Sequence, residues 1–211
     1  MPNCRCTQVH HASRVVLTGG PGAGKTAVLE LVRQHFCEHV RILPEAASLI
    51  FRGGFPRGNS PGERRAAQRA IFSVQRELEA AAEASDNSAL VLCDRGTIDG
   101  AAYWPGPGEF WSANGTTRQV ELTRYAAVVH LRPPHRDEGY NHANPLRLET
   151  AAESGIIDRA LEAAWEGHPS VTFVESRPHF LDKAFIALEA LRGHVPECCR
   201  PPALGLTRGP A

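Results

Sequence analysis

One segment narrows the choice of fold sharply: residues 19–26 read Gly-Gly-Pro-Gly-Ala-Gly-Lys-Thr. This octet matches the pattern G-x-x-x-x-G-K-[ST] of the phosphate-binding P-loop at every position. A short β-rich run precedes it at residues 14–18, and residues 25–35 carry apolar side chains at the i, i+3, i+4 spacing of an amphipathic helix. Because a P-loop connects a strand to a helix, the motif and its flanks together predict a P-loop NTPase fold.

Each part of the predicted loop has a chemical role. Its glycines allow successive backbone N–H groups to point inward around phosphate oxygens, and the helix that begins near Gly24 adds the positive end of its dipole. We expect Lys25 to bridge the β- and γ-phosphates of ATP and the Thr26 hydroxyl to ligate Mg²⁺. The predicted nucleotide-binding residues are Gly19, Gly20, Pro21, Gly22, Ala23, Gly24, Lys25, Thr26 and Ala27.

The rest of the chain repeats this strand–helix pattern. Further strand candidates occur at residues 40–43, 89–93, 126–131 and 171–174, with helical patterns between them. Repeated βα units predict an α/β fold in three layers, with a mostly parallel five-stranded sheet and helices on both of its faces. Ligands of such sheets bind at the carboxyl ends of the strands, so we expect the site at that edge.

The length of 211 residues suits a single α/β core. We assign residues 14–194 to one kinase-like domain that includes a lid-like segment at about 132–147. Residues 1–13 are polar, and the chain from Val195 onward is rich in proline with little apolar periodicity. We therefore predict that residues 1–13 and 195–211 are flexible ends.

Two carboxylates are candidates for chemistry at the strand ends. Asp94 follows an apolar run in the Walker-B arrangement, where a carboxylate holds Mg²⁺, so Asp94 and Thr26 are the predicted metal ligands. Glu45 follows the second strand, where a carboxylate can orient or deprotonate an attacking hydroxyl group. The sequence is equally compatible with Glu45 only stabilising the helix that it precedes.

Arginines are the remaining candidates for phosphate chemistry. Arg95 adjoins Asp94, and Arg132 and Arg147 border the lid-like segment, where guanidinium groups can stabilise charge on a transferred phosphoryl group. We assign Arg136 to solvent because acidic residues follow it. The predicted catalytic residues are Lys25, Glu45, Asp94, Arg95, Arg132 and Arg147.

These motifs together resemble the NadR-type AAA ATP-binding domain family. The residues that carry the resemblance are the P-loop, Pro44-Glu45-Ala46-Ala47, Phe51-Arg52-Gly53-Gly54, Asp94-Arg95-Gly96-x-x-Asp99-x-x-x-Tyr103, Arg147-x-Glu149, Ile157-Asp158 and Trp165-x-x-His168. The resemblance spans about residues 14–175 and implies a nucleotide-kinase-like fold that uses ATP and Mg²⁺. The family includes a ribosylnicotinamide kinase domain, but the resemblance does not identify an acceptor.

Two functions agree with these residues. The first is a kinase that transfers the γ-phosphoryl group of ATP to a hydroxyl of a small, nucleoside-like acceptor. The second is a slow NTPase that acts as a regulatory switch or binding module, which would use the same phosphate-binding residues. Aromatic residues could line a ring-binding pocket, although in such chains they more often pack in the core. They are Phe51, Phe55, Tyr103, Trp104 and Trp111.

Charge and hydropathy bear on partners. The formal net charge is zero, and no dense basic stripe is present, so we expect no nucleic-acid partner. No apolar run approaches the ~20 residues of a membrane span, and residues 1–12 lack the apolar stretch of a secretory signal. We expect a cytoplasmic protein with a small-molecule partner. A homodimer is compatible with the sequence, which does not determine the oligomeric state.

The chain has six cysteines and ten histidines. A metal site between the chain ends would combine Cys4, Cys6, His10 and His11 with Cys198 and Cys199. The spacings C-x-C and C-C differ from the C-x-x-C of common zinc sites, so the sequence favours reduced thiols, with Cys37 and Cys93 as small buried side chains. His35 and His39 have the i, i+4 spacing of a helical metal pair, but they lack the glutamate of H-E-x-x-H.

Overall fold

A computed structural model describes residues 4–84, 87–106, 110–134 and 151–203. Its strands form one sheet, in the order β2-β3-β1-β4-β5, and every neighbouring pair is parallel. The strands are β1 (Ser13–Thr18), β2 (Val40–Leu43), β3 (Leu90–Asp94), β4 (Ala127–Leu131) and β5 (Val171–Val174). The prediction of a five-stranded parallel sheet is confirmed.

Helices connect the strands, and short 3-10 turns lie at Thr97–Asp99 and Glu197–Cys199. The helices are α1 (Lys25–His35), α2 (Ala46–Arg52), α3 (Pro61–Glu83), α4 (Gly100–Tyr103), α5 (Phe110–Ala113), α6 (Arg118–Leu122), α7 (Ala151–Trp165) and α8 (Phe180–Gly193). Among these described residues, no helix combines the length and the apolar character needed to cross a membrane.

The central strand β1 shows how the three layers form. Val15 and Leu17 point to one face of the sheet and pack in the same apolar cluster as buried residues of α1 and α8. Val16 points to the opposite face and packs with Ala82 of α3 and Trp165 of α7. Because successive side chains of a strand alternate between faces, burial of residues 15–18 of β1 requires helices on both sides of the sheet.

The long helix α3 begins where its sequence predicts. The Ser60 hydroxyl accepts a hydrogen bond from the Glu63 N–H, the Glu63 carboxylate accepts one from the Ser60 N–H, and Pro61 occupies the first turn. This capping box satisfies two N–H groups that would otherwise lack a partner. The start of α3 is therefore encoded locally.

The sheet order brings separate segments to one edge. Strand β1 is central, β3 lies beside it, and β2 pairs with the far side of β3. The P-loop after β1, Asp94 at the end of β3 and Glu45 after β2 therefore emerge next to one another. Strand β3 extends one residue beyond the predicted Cys93, because Asp94 still pairs with Leu17 of β1.

Both chain ends contact the domain where the structure describes them. Cys4 and Cys6 pack against the apolar cluster on the α1 and α8 face, and Val195 and Cys199 are buried members of that cluster. The proline-containing turn that holds Cys199 follows α8 directly. The ends that we predicted to be flexible thus have contacts that their composition does not indicate.

Candidate active site

The glycine-rich loop has a backbone that requires glycine. Gly19, Gly22 and Gly24 have φ angles of 135°, 82° and 94°, in the region that disfavours other residues. A Cβ atom at Gly19 would lie 2.1 Å from the Leu131 carbonyl oxygen, so β4 packs directly against the loop. The Lys25 Nζ donates hydrogen bonds to the carbonyl oxygens of Gly19 at 2.8 Å and Gly20 at 3.3 Å. The Lys25 amine therefore lies against the loop on which the phosphates of ATP are predicted to bind.

Side chains from segments far along the chain form hydrogen bonds with the backbone of this loop. The Gly20 N–H donates to Asp158 Oδ1 at 2.8 Å, and the Ser154 hydroxyl donates to the Pro21 carbonyl oxygen at 2.6 Å. The buried Lys183 donates from Nζ to the Ala23 carbonyl oxygen at 2.8 Å. Helices α7 and α8 thus fix the loop conformation, and sequence reasoning assigned no role to Ser154 or Lys183.

Arg132 participates in the same support. Its Nη1 pairs with Asp158 Oδ2 at 3.1 Å and with Glu162 Oε2 at 2.8 Å. The Glu162 hydrogen bond raises the pKa of the Arg132 guanidinium, so this group stays charged. Arg132 therefore supports the loop indirectly, through Asp158, which accepts the hydrogen bond from Gly20. Arg147 and most of the predicted 132–147 lid segment lie outside the described residues.

Asp94 has an incompletely satisfied carboxylate. Among the described residues no group donates a hydrogen bond to its buried Oδ1. Burial raises the pKa of Asp94 to about 6, although the nearby Lys25 charge opposes this shift. A buried carboxylate oxygen without a donor, at a strand end near Lys25 of the P-loop, fits the oxygen ligands that Mg²⁺ prefers.

Lys25 belongs to the same charged group. Burial and the Arg95 charge lower its pKa to about 8, whereas Asp94, Glu45 and Asp99 act in the opposite direction. The three carboxylates are therefore close enough to Lys25 to influence its ionisation. A bound phosphate chain would add negative charge here and favour the protonated amine.

Glu45 is held by an ion pair with Arg95 and by a hydrogen bond from Ser48 of α2. It occupies the N-cap position of α2, but its side chain makes no capping hydrogen bond. Its Oε1 accepts from Arg95 Nε at 2.8 Å, and its Oε2 accepts from the Ser48 hydroxyl. Burial would raise the pKa of Glu45, but the Arg95 charge and the Ser48 hydrogen bond outweigh it and lower that pKa. Glu45 is thus a fixed, ionised carboxylate.

Arg95, the partner of Glu45, has an unusual backbone conformation. Its φ angle is 71°, which is uncommon for a residue with a side chain, and its N–H donates to the Leu17 carbonyl oxygen at 3.1 Å. Its guanidinium lies 5.5 Å from the centre of the Tyr103 ring. Strained residues of this kind concentrate at functional sites, where surrounding contacts hold them.

Asp99 also belongs to the site, although our predictions from the sequence included it only within a motif and gave it no role. It is buried, and its Oδ2 accepts from the Thr18 hydroxyl at 2.7 Å and from Arg95 Nη1 at 3.4 Å. Its Oδ1 accepts from Trp165 Nε1 at 2.6 Å. Asp99 therefore connects the end of β1, helix α7 and Arg95. Only the spacing within Asp94-Arg95-Gly96-x-x-Asp99 signals it.

A cavity of about 490 Å³ adjoins these residues. Helices α2 and α3 and the segment from Arg95 to Tyr103 enclose it, and the P-loop residue Pro21 forms part of its wall. The lining residues that matter most for chemistry are Glu45, Phe51, Gln68, Arg95, Asp99 and Tyr103. Its volume suits a small organic molecule.

The aromatic residues divide between this cavity and the core. Phe51 and Tyr103 line the cavity, and the Arg57 guanidinium lies 4.3 Å from the centre of the Phe51 ring. Trp104 is buried in a small cluster with Phe72 and Phe110. Trp111 packs against that cluster. The expected mixture of pocket and core aromatics is what the structure contains.

Comparisons with known proteins agree with this architecture. A family model described as an AAA domain matches residues 14–180. No curated protein matches the chain. Among solved structures, the thymidylate kinase of Candida albicans aligns with a TM-score of 0.56 at 11% identity, over 87% of this chain and 94% of that one.

A second solved structure, the NadR protein in complex with NR, aligns with a TM-score of 0.60 at 12% identity. The alignment covers 88% of this chain and 52% of the NadR chain, so this chain spans about half of that protein's length. At such low identities both likenesses show the fold alone, which is the α/β fold of P-loop kinases.

Proposed function

The chain belongs to the AAA domain family, and we propose that it is an ATP-dependent kinase that phosphorylates a hydroxyl group of a small, nucleoside-like acceptor. The observation that carries this proposal is the cavity of about 490 Å³ that joins the P-loop to the fixed carboxylate of Glu45. A protein that only hydrolysed ATP would need no second, ring-sized cavity beside its phosphate site. The likeness in fold to a thymidylate kinase supports phosphoryl transfer as the class of reaction.

The phosphates of ATP would lie on the P-loop, with Lys25 moving from the Gly19 and Gly20 carbonyls to phosphate oxygens. Thr26 and Asp94 would hold Mg²⁺, which supplies positive charge to the β- and γ-phosphates. The amide groups of the loop are already oriented, because Asp158, Ser154 and Lys183 fix it. Such preorganised donors favour charge that develops during transfer without a further reorganisation cost.

Glu45 would accept a hydrogen bond from the attacking hydroxyl. Its pKa is below the ordinary value, so Glu45 is ionised at neutral pH and is a weak base. It therefore acts mainly by orienting the hydroxyl, and takes up the proton as the bond to phosphorus forms. Arg95 and Asp99 position this carboxylate. The proposal also includes the role predicted for Arg132 and Arg147, which is to stabilise charge on the transferred phosphoryl group.

We expect Glu45→Gln to lower acceptor-dependent turnover by about 10²-fold or more, because the amide cannot accept the hydroxyl proton. The KM for ATP should change little, since Glu45 is proposed to contact the acceptor. Steady-state kinetics with ATP and acceptor varied in turn measure both effects. Glu30→Gln is the matched control, because Glu30 is exposed on α1. An unchanged turnover in Glu45→Gln would remove Glu45 from the mechanism.

Phe51→Ala should raise the KM for the acceptor by about fivefold, because stacking on an aromatic side chain contributes on the order of 1 kcal/mol. Turnover at saturating acceptor should fall less. The control is Leu49→Ala on the same helix, where the side chain is exposed and does not line the cavity. Equal KM values for the acceptor in the two variants would mean that the ring does not bind against Phe51.

The experiment that tests the function measures ADP release with ATP and Mg²⁺ against a panel of acceptors. The panel contains nucleosides, ribosylnicotinamide, small alcohols and thymidylate. A large rate increase with one hydroxyl acceptor supports the proposal and names the substrate. An increase only with thymidylate or another monophosphate would make the protein a nucleotide kinase with a phosphate acceptor. Slow hydrolysis that no acceptor accelerates would favour the switch.

A further inference from the structure

A second group of reactive side chains lies far from the P-loop, where the two chain ends meet the turn between α1 and β2. It contains five of the six cysteines and two histidines. The N-terminal segment contributes Cys4, Cys6 and His10, the turn contributes Cys37 and His39, and the C-terminal 3-10 turn contributes Cys198 and Cys199. We name these seven residues the thiol cluster.

The thiol cluster divides into two sets of four that share Cys199. The first set is Cys4, Cys37, His39 and Cys199, and the second is Cys6, His10, Cys198 and Cys199. Within each set all ligand atoms lie within 4.8 Å of one another. Three cysteines and one histidine form a recurrent tetrahedral zinc site in proteins.

The measured separations suit such tetrahedra. Zn–S bonds of about 2.3 Å and Zn–N bonds of about 2.0 Å place two sulfurs about 3.8 Å apart and a sulfur about 3.5 Å from a nitrogen. In the first set the sulfurs of Cys4 and Cys199 are 3.8 Å apart. His39 Nδ1 lies 3.4 Å from the Cys199 sulfur and 4.0 Å from the Cys37 sulfur.

The second set has a similar geometry around His10. Its Nε2 lies 3.3 Å from the sulfurs of Cys6 and Cys199, and 4.0 Å from that of Cys198. The two imidazole rings are 5.7 Å apart between centroids and are tilted by 56°. Both histidines therefore present a ring nitrogen to the Cys199 sulfur.

We propose that the thiol cluster binds two Zn²⁺ ions, each held by three cysteines and one histidine, with the Cys199 thiolate bridging them. On binding, the five thiols lose their protons to solvent and the histidines coordinate as neutral rings.

The proposed site is structural, because four protein ligands at each ion leave no position for substrate. Helix α1 separates it from the P-loop, and its 11 residues span about 16 Å. Zinc there would join the N-terminal segment, the α1–β2 turn and the C-terminal 3-10 turn. The inference does not depend on the proposed kinase activity.

A disulfide or a group of free thiols would be the other states of this cluster. All six cysteines are free in the structure, as the reduced-thiol interpretation of the sequence expects. Neither state explains why two histidine nitrogens and the sulfurs of four other cysteines surround the Cys199 sulfur. His35, the other member of the sequence pair, is exposed, whereas His39 is buried within the cluster. The helical pair is therefore not the ligand set.

The test is elemental analysis of the full chain, purified without a histidine tag. We expect about two zinc ions per chain, and tetrahedral thiolate ligand-field bands when Co²⁺ replaces them. About one ion per chain would overturn the bridged arrangement. Absence of bound metal, or a Cys4–Cys199 disulfide found by mass spectrometry under non-reducing conditions, would overturn the proposal entirely.

Substitutions test how the ligands are shared. Cys198→Ser, at an exposed ligand of one set, should lower the zinc content to about one per chain, and so should Cys4→Ser in the other set. Cys199→Ser should remove both ions. Cys93→Ser and His35→Ala are matched controls outside the cluster and should retain two. Two ions retained in Cys199→Ser would contradict the bridge, and the wild-type measurement stands even where a variant fails to fold.

Discussion

Lys25→Ala is expected to lower acceptor-dependent ADP release by at least about 10²–10³-fold, because it removes a preorganised positive charge from the transferred phosphate. In the structure Lys25 already lies over the P-loop, bonded to the Gly19 and Gly20 carbonyls. Its contribution should be greatest as charge moves toward the β–γ bridging oxygen during transfer. Turnover should therefore fall more than ATP affinity. Single-turnover kinetics and equilibrium ATP binding separate the two.

The matched control for this variant is Arg33→Ala on the same helix. Arg33 is an exposed cation whose Nη1 pairs with Glu30 of the same helix at 3.3 Å. Its removal changes the net charge by the same amount, far from the phosphates. We expect wild-type turnover in Arg33→Ala. If both variants had similar activity, Lys25 would have no specific role in phosphoryl transfer.

Asp94→Asn is expected to lower Mg²⁺-dependent turnover by about 10²-fold or more, because an amide lacks the charge of a carboxylate ligand. The apparent affinity for Mg²⁺ in the presence of ATP should fall with it. Titration of Mg²⁺ at fixed ATP measures this affinity. Full activity at ordinary Mg²⁺ concentrations would show that Asp94 does not hold the ion, directly or through water.

Asp94→Asn should raise the free energy of unfolding at neutral pH, although it should lower turnover. The folded-state pKa of Asp94 is about 6, above the ordinary 3.8, so the folded protein binds the proton more tightly than the unfolded chain does. This contribution to the free energy of unfolding is present below about pH 4 and is lost as the pH rises through about 6. The loss amounts to at most about 3 kcal/mol.

Because asparagine does not titrate, Asp94→Asn should gain stability relative to the wild type as the pH rises from about 4 to 7. Urea unfolding of both proteins without nucleotide or added Mg²⁺, at a series of pH values, measures the difference. Above pH 7 the difference should be constant. A difference that is the same at every pH would show that burial does not shift the ionisation of Asp94.

The local parts of this molecule are those that the sequence predicts well. The P-loop, the bounds of α1 and β2 and the start of α3 depend on neighbouring residues, since hydrogen bonds and apolar periodicity operate over about four positions. The parallel sheet also follows from the repeated βα units. The roles of the predicted site residues remain predictions, although Lys25, Glu45, Asp94 and Arg95 lie together at one edge.

The sequence alone determined the class of fold, the phosphate-binding loop and the strand ends that carry the candidate catalytic residues. The tertiary structure decided which side chains meet: Asp158 at the P-loop, Asp99 between Thr18 and Trp165, the cavity beside Glu45, and the thiol cluster. These contacts join segments far apart in the chain, as the Cys4–Cys199 pair shows. Sequence patterns mark some of these residues, such as Asp99, but do not establish the contacts that they make, because the contacts depend on the strand order and on which faces the helices cover.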